Sequence, residues 1–294
     1  MGFRYYLIFV KRQVFKKRSL VILTFLTGLY FYSQLFRVPD GRLHVRFLDV
    51  GQGDATLITT PRGSNVLIDG GPNDKVVSLI NQIINPSDRK MDLLLLTHPH
   101  ADHVAGLISV LSNYQVRNIV YDPVGYESET YKRFLKAVDD EKKQGARVIN
   151  PKTGDVVTVG DLAIKIVWVG PNPDPSGLND ASIVSVVSYR NFDVFMPGDA
   201  QGKEAKAMVV AGALPPLVEV LKAAHHGSSN GLSEPLEMIL SPALTVISVG
   251  KNNSFGHPSA QLLNFLSRIG SRVLRTDLNG TIEIISDGKS WAVK

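Results

Sequence analysis

The stretch Thr97-His98-Pro99-His100-Ala101-Asp102-His103 follows the apolar run Leu93-Leu94-Leu95-Leu96, which has the length and composition of a buried strand. Imidazoles beside a carboxylate are the ligand set for zinc, manganese or iron. In an extended loop His98 and His100 share a face, because side chains two apart point the same way. Asp102 and His103 then fall where the apolar periodicity of residues 104–111 begins a helix, so their side chains can turn toward a second ion beside the first. A polar loop that happens to be rich in histidine is the plain alternative. It is set aside because four ligand-type residues at H-x-H-x-D-H spacing rarely coincide. The stretch is read as a site for two metal ions.

Outward from this site the chain alternates strand and helix patterns. Strand-type runs occupy 43–49, 55–59, 65–69, 93–97 and 118–122, and again 156–159, 163–169, 182–189, 192–196, 218–221, 244–249, 273–275 and 281–285. Helical periodicity marks 74–84, 104–111, 130–144, 203–210, 234–240 and 259–269. Pro61-Arg62-Gly63-Ser64 reads as a hairpin turn, and the Pro-rich segment 170–177 as a rigid loop between two strand-rich halves. Two sheet-forming halves, each with helices, make an α/β layered sandwich in one domain over 43–294. Gly51-Gln52-Gly53-Asp54 allows a close backbone approach to an anion, and serves equally as a tight turn.

Charge requires more care than its total suggests. The chain of 294 residues carries a formal net charge of +5, with 32 Lys and Arg against 27 Asp and Glu. Seven of the basic residues (Arg4, Lys11, Arg12, Lys16, Lys17, Arg18 and Arg37) lie in residues 1–38, which hold no Asp or Glu, so the remainder has 25 basic against 27 acidic groups. Bulk charge therefore gives no case for nucleic-acid binding. The basic surplus flanks an uncharged apolar segment, 19–36, long enough as a helix of about 27 Å to match a bilayer's hydrocarbon core. Lysine and arginine on its N-terminal side, in the segment 1–18, orient the domain outside the membrane. No small-residue cleavage site follows, so a retained single-pass anchor is expected at the cell membrane, with the domain extracytoplasmic. The chain has no cysteine, which excludes disulfides and thiolate ligands.

H-x-H-x-D-H after an apolar strand resembles the signature of the metallo-β-lactamase superfamily. Phe47-Leu48-Asp49-Val50-Gly51-Gln52-Gly53-Asp54, Ile68-Asp69-Gly70-Gly71, Asn179-Asp180-Ala181-Ser182, Pro197-Gly198-Asp199, His225-His226-Gly227-Ser228 and Gly256-His257-Pro258 follow in that order. This set is similar to the metallo-β-lactamase-like domain of ComEC-type DNA-uptake (competence) proteins. The resemblance implies a four-layer αβ/βα sandwich holding two divalent ions, zinc or manganese. It assigns His98 and His100 to the first ion and Asp102 and His103 to the second. Asp199 would bridge them, and His225 or His226 would complete the ligand set of the second ion, with the choice left open. Asp69 would orient a ligand imidazole. Where many members supply a further histidine, this chain has Asp180, which is either a carboxylate ligand or a turn residue leading into Ser182.

The same resemblance makes His257 a proton or hydrogen-bond donor to substrate, so that Asp69, Asp102 and His257 are the candidate catalytic groups. Ser228, Ser229 and Asn230 either bind substrate oxygens or cap a following helix. Lys222 and Lys251 flank these loops and either pair with phosphate or are lone surface lysines without a specific role. Two clamped ions suit a phosphodiester, so the expected activity is that of a phosphodiesterase or nuclease, with single-stranded DNA as candidate substrate. Hydrolysis of another surface phosphoester or a lactone, and a noncatalytic DNA- or partner-binding module, are the alternatives. The many-span channel of full-length ComEC is not in this sequence, which leaves a separate channel partner as an open expectation.

Overall fold

The computed structural model describes residues 17–30, 39–85, 88–170, 177–212, 214, 217–231 and 238–294. The chain divides into two units, of which the smaller comprises Met1–Val38 with Ile84–Asp88. Within it residues 17–30 are an exposed helix, which we call α1. The expected membrane-spanning helix over 19–36 is not supported: its residues 31–36 lie outside the described ones, and α1 alone is too short. Among the described residues no helix is long and apolar enough to cross a membrane. Most of the basic segment 1–18 also lies outside the described residues.

The larger unit, Pro39–Ile83 with Arg89–Lys294, holds two sheets. The first takes β1 (Leu43–Phe47), β2 (Thr56–Thr59), β3 (Asn65–Ile68), β5 (Leu93–Leu95), β7 (Asn118–Val120), β8 (Arg147–Ile149), β16 (Ile282–Ser286) and β17 (Trp291–Val293). Its order is β17-β16-β1-β2-β3-β5-β7-β8. The second takes β9 (Val156–Val159), β10 (Leu162–Trp168), β11 (Val184–Tyr189), β12 (Phe192–Met196), β13 (Val220–Lys222), β14 (Leu244–Ile247) and β15 (Arg272–Arg275). Its order is β15-β14-β13-β12-β11-β10-β9. The short strands β4 (Lys90–Met91) and β6 (Gln115–Val116) pair separately.

Alternation in the sequence builds the layer between the sheets. In β1, Leu43, Val45 and Phe47 are buried while His44 and Arg46 are only partly covered. Ile164 and Ile166 of β10 face them across the sandwich, with the intervening Lys165 exposed. Strands β3, β5 and β14 are buried at every residue, as strands covered on both faces must be. Their outer faces meet helices. Phe195 and Leu221 pack with Ala205 and Met208 of α5 (Gly202–Val210), and Ile247 packs with Leu262 and Phe265 of the helix Ala260–Arg268. On the other side lie α2 (Lys75–Ile83), α3 (Ala101–Asn113) and α4 (Glu129–Lys143), whose inner faces bury Val76, Ile80, Leu107, Val110 and Phe134. The expected four-layer sandwich is present.

Each sheet is antiparallel on one side and parallel on the other. Parallel pairs join β3, β5, β7 and β8, and likewise β12, β13, β14 and β15. The C-terminal ends of such strands are where an α/β sheet leaves loops free to form a site. Asp69 follows β3, His98 follows β5, Asp199 follows β12 and His226 follows β13. Several edges differ from the sequence reading by a few residues, and β4, β6, β8 and β17 were not foreseen; all are short or lie at sheet margins. Residues 171–176 and 234–237, a loop and part of a helix in the sequence reading, lie outside the described residues.

Candidate metal centre

Helix α3 begins at Ala101, earlier than its apolar periodicity indicates, so Asp102 stands in the first turn. A carboxylate there complements the helix dipole. The turn is docked by a close backbone approach. Gly70 N–H donates to His103 O at 2.8 Å and Gly106 N–H donates to Gly71 O at 2.9 Å. A Cβ on Gly106 would collide with Gly70 O. Two glycines and a short loop thus fix where Asp102 and His103 project.

Asp69 organises the next layer. It adopts φ 57, a left-handed conformation that is uncommon outside glycine. From there it accepts Thr97 N–H at 2.8 Å, Thr97 Oγ1–H at 2.7 Å and His103 Nδ1–H at 2.9 Å. His98 Nδ1 lies 3.2 Å from the same Thr97 hydroxyl, which accepts its proton. The Nε2 atoms of His98 and His103 are therefore left to face inward. His98 Nε2 lies 3.0 Å from His100 Nδ1, so two imidazole nitrogens converge.

Asp199, on the Pro197-Gly198-Asp199 turn, sits at the centre. Its Oδ1 lies 3.4 Å from His103 Nε2, and its Oδ2 lies 3.7 Å from His98 Nε2, 3.7 Å from His226 Nε2 and 3.9 Å from His225 Nε2. His226 Nε2 also meets Asp102 Oδ2 at 3.1 Å. His225 and His226 both hold left-handed backbone, with φ 50 and φ 53. Such a conformation costs of order 1–3 kcal/mol per residue and persists where surrounding structure enforces it. It separates the pair: His226 turns inward and is buried, while the side chain of His225 stays partly exposed with its ring 5.7 Å from His257.

Behind His226 stands a residue that sequence reading passed over. Asp54 Oδ1 lies 3.2 Å from His226 Nδ1, and that nitrogen also donates to Ser248 O at 3.0 Å. Asp54 Oδ2 is paired with Lys222 Nζ. Lys222 is therefore not a surface lysine; it is 1% exposed, closing β13 beneath the site. The signal was the last residue of Asp49-Val50-Gly51-Gln52-Gly53-Asp54, read for its glycines and not its carboxylate. The turn binds no anion through its final amide, because Asp54 N–H donates to Asp102 O at 3.1 Å.

Charge follows this arrangement. Burial opposes a proton on His103, but the carboxylates of Asp199, Asp69 and Asp102 outweigh it and hold its pKa well above the imidazole range. Burial likewise opposes His226, yet Asp199 and Asp54 raise it to about 9. Burial alone would lift Asp199, but His103 and His226 draw it well below the carboxylate range. For His98, burial and then His103 push the pKa well down, and burial lowers that of His100.

The donor set fits divalent cations. Among the described residues, four overlapping groups have ligand atoms within 4.8 Å of one another: His98, His103 and Asp199; Asp102, His103 and His226; Asp54, Asp199 and His226; Asp54, Asp69 and His103. Asp54 and Asp69 are already engaged by Lys222 and by Thr97 with His103. His103 Nε2 and Asp199 Oδ1 are buried and make no hydrogen bond, as nitrogen and oxygen ligands awaiting a cation would be. His103 thus groups with His98 as well as with Asp102.

Other expected residues stand apart. Asp180, in a single turn of 3-10 helix (Leu178–Ala181), is paired with Lys203 Nζ and belongs to none of those groups among the described residues. His257 Nδ1 is buried without a hydrogen bond. Ser228 Oγ accepts Asn230 N–H at 3.2 Å, closing a turn, and Ser229 and Asn230 are exposed.

Comparison with known proteins agrees with this geometry. The model of the metallo-beta-lactamase superfamily matches residues 48–251. ComE operon protein 3 of Bacillus subtilis is 31% identical over 258 residues, covering 81% of this chain and 32% of that protein. Recombination protein 2 of Haemophilus influenzae is 28% identical over 243 residues, covering 81% of this chain and 28% of that protein. The chain thus spans about a third of the length of these curated relatives. Among solved structures, the metallo-beta-lactamase fold protein YhfI from Bacillus subtilis aligns with a TM-score of 0.55 at 12% identity, covering 82% of this chain and 99% of that one.

Proposed function

The chain belongs to the metallo-beta-lactamase superfamily, and from that premise we propose that it is a metal-dependent phosphodiesterase acting on single-stranded DNA. The observation that carries this reading is Asp199, one buried carboxylate with four imidazoles within 3.9 Å. His98, His100, Asp102, His103, Asp199 and His226 would hold two ions, zinc or manganese, with His98 and His100 nearer one and Asp102 and His226 nearer the other. Divalent ions held there polarise a phosphoryl oxygen and acidify water near neutral pH.

The residues around them do the positioning. Asp69 and Thr97 fix the tautomers of His103 and His98, and Ser248 with Asp54 fixes that of His226, so each presents its Nε2 inward. His257 is kept neutral by burial, ahead of the repulsion from His225, and can donate a hydrogen bond to a substrate oxygen. His225, outside the ligand groups, lines the approach beside it. Relatives named for recombination and for the ComE operon support a DNA substrate. The uncharged sequence 19–36, with basic residues on its N-terminal side, supports a membrane attachment that leaves the domain outside.

A second reading is a metal-dependent DNA-binding module without turnover, and Asp180 favours it. Its pairing with Lys203 would leave His98, His100 and a shared Asp199 to hold the first ion. Single-stranded DNA offered to the manganese-loaded chain separates the two. Cleavage that disappears in His100→Ala supports the hydrolase, whereas retention of intact strand without cleavage supports the module.

A further inference from the structure

The loop 250–257, which follows β14, carries an aromatic ring that the hydrolase reading does not use. Phe255 is 67% exposed. Its ring stacks on the His257 imidazole, with centroids 5.7 Å apart and planes at 27°. His257 in turn stands 5.7 Å from the His225 ring, whose Nε2 is 3.9 Å from Asp199. An exposed aromatic ring thus stands two rings out from His225, which borders Asp199. A second aromatic, Tyr126, stands edge-on to His100 at 6.5 Å.

Scattered exposed apolar side chains are ordinary on protein surfaces. This one is held in place. Asn253 Nδ2 donates to Gly250 O at 3.1 Å and to His257 O at 2.7 Å, while its Oδ1 accepts Phe255 N–H at 3.2 Å and His257 N–H at 3.0 Å. The root of the loop is pinned as well. Gly250 N–H donates to Gln52 Oε1 at 3.0 Å, and a Cβ on Gly250 would come within 2.6 Å of Gln52 N. The Gly51-Gln52-Gly53 turn therefore serves to fix this loop against the site.

We infer that Phe255 is a base-stacking platform, on which the nucleobase next to the scissile phosphate rests. The inference rests on the phosphodiesterase reading for the location of that phosphate. A phosphate at the cluster carries its nucleoside toward the neighbouring rings, and the outermost of these is Phe255. Bases of a single strand have free faces for such a ring, whereas those of a duplex are stacked on one another. Stacking of this kind accepts any base, so it selects strandedness and not sequence.

The test is equilibrium binding of a fluorescent phosphorothioate oligothymidylate, which resists hydrolysis, to the full manganese-loaded chain. Phe255→Ala should weaken binding by roughly 5- to 100-fold, and Phe255→Trp should retain it. A phosphorothioate strand of abasic sites should bind all three proteins alike. Phe255 is exposed, so neither substitution disturbs the core. Equal affinity of the three proteins for oligothymidylate would overturn the inference, as would an equal loss on the abasic strand. Cleavage of ordinary oligothymidylate is followed separately. A wild type that shows the stacking difference but cuts no phosphodiester counts against the hydrolase and for the platform. A wild type that cuts, with binding indifferent to Phe255, does the reverse.

Discussion

His226 and His225 are neighbours with different work to do, and the difference lies in two backbone torsions. His226 meets Asp102 at 3.1 Å and Asp199 at 3.7 Å, whereas His225 reaches only Asp199, at 3.9 Å. His226→Ala should therefore lower the metal content of the purified chain, and His225→Ala should leave it near the wild-type level; elemental analysis of both decides. Lys222 makes an equally specific prediction. Lys222→Met leaves Asp54 with His226 as its remaining close partner, so the loss should be substantial but below the about 3–5 kcal/mol of a fully unpaired buried charge. Adding Asp54→Asn should restore part of that loss in urea denaturation, and a double variant no more stable than the single one would count against the pairing. Of these residues, the histidines were legible because ligand chemistry concentrates in a short motif. Asp54 and Lys222 were not, because an aspartate in a glycine turn and a lysine ending a strand look alike whether buried or exposed. Only the approach of a loop and a strand end distant in sequence buries them together.

Helix α3 and the loop after β3 show the same limit at the scale of elements. The contact of Gly106 with Gly70 sets the height of the helix, and with it Asp102 and His103. Alanine in a helix interior is favoured over glycine by about 1 kcal/mol, so Gly106→Ala would stabilise an open helix. Here the added carbon meets backbone oxygen that cannot give way, and overpacking of that kind costs about 1–3 kcal/mol. The expected outcome is a lower melting temperature together with weaker metal binding; a higher melting temperature would show that the contact is loose. Strand and helix type were readable where burial is one-sided, as in β1 and α4, because alternation and helical spacing record a single core. The start of α3 was misplaced by its apolar pattern, since its first turn is polar for the sake of the site. The short marginal strands carry too few residues to show a period.

At the scale of the molecule, two sheets bring loops from both halves of the chain to one edge and concentrate charge there. His226 is raised to about 9 by Asp199 and Asp54 against burial. A group raised above its unfolded value near 6.5 adds stability that is complete below that value and is lost as pH rises through about 9. The metal-free chain should therefore lose thermal stability from pH 6.5 to 9 in the presence of chelator. Metal uptake, which displaces these protons, should strengthen over the same interval and offset the loss. A chelated chain whose melting temperature is flat across that interval would contradict the proximity of His226 to Asp199 and Asp54. The central claim, that the cluster around Asp199 hydrolyses phosphodiesters with divalent metal, is tested most directly by the rate of bis(p-nitrophenyl) phosphate hydrolysis by the manganese- or zinc-loaded chain and by Asp199→Asn. The expected result is turnover in the wild type that chelator removes and that Asp199→Asn lacks. Metal-loaded wild type with no turnover, or Asp199→Asn as active as wild type, would contradict it.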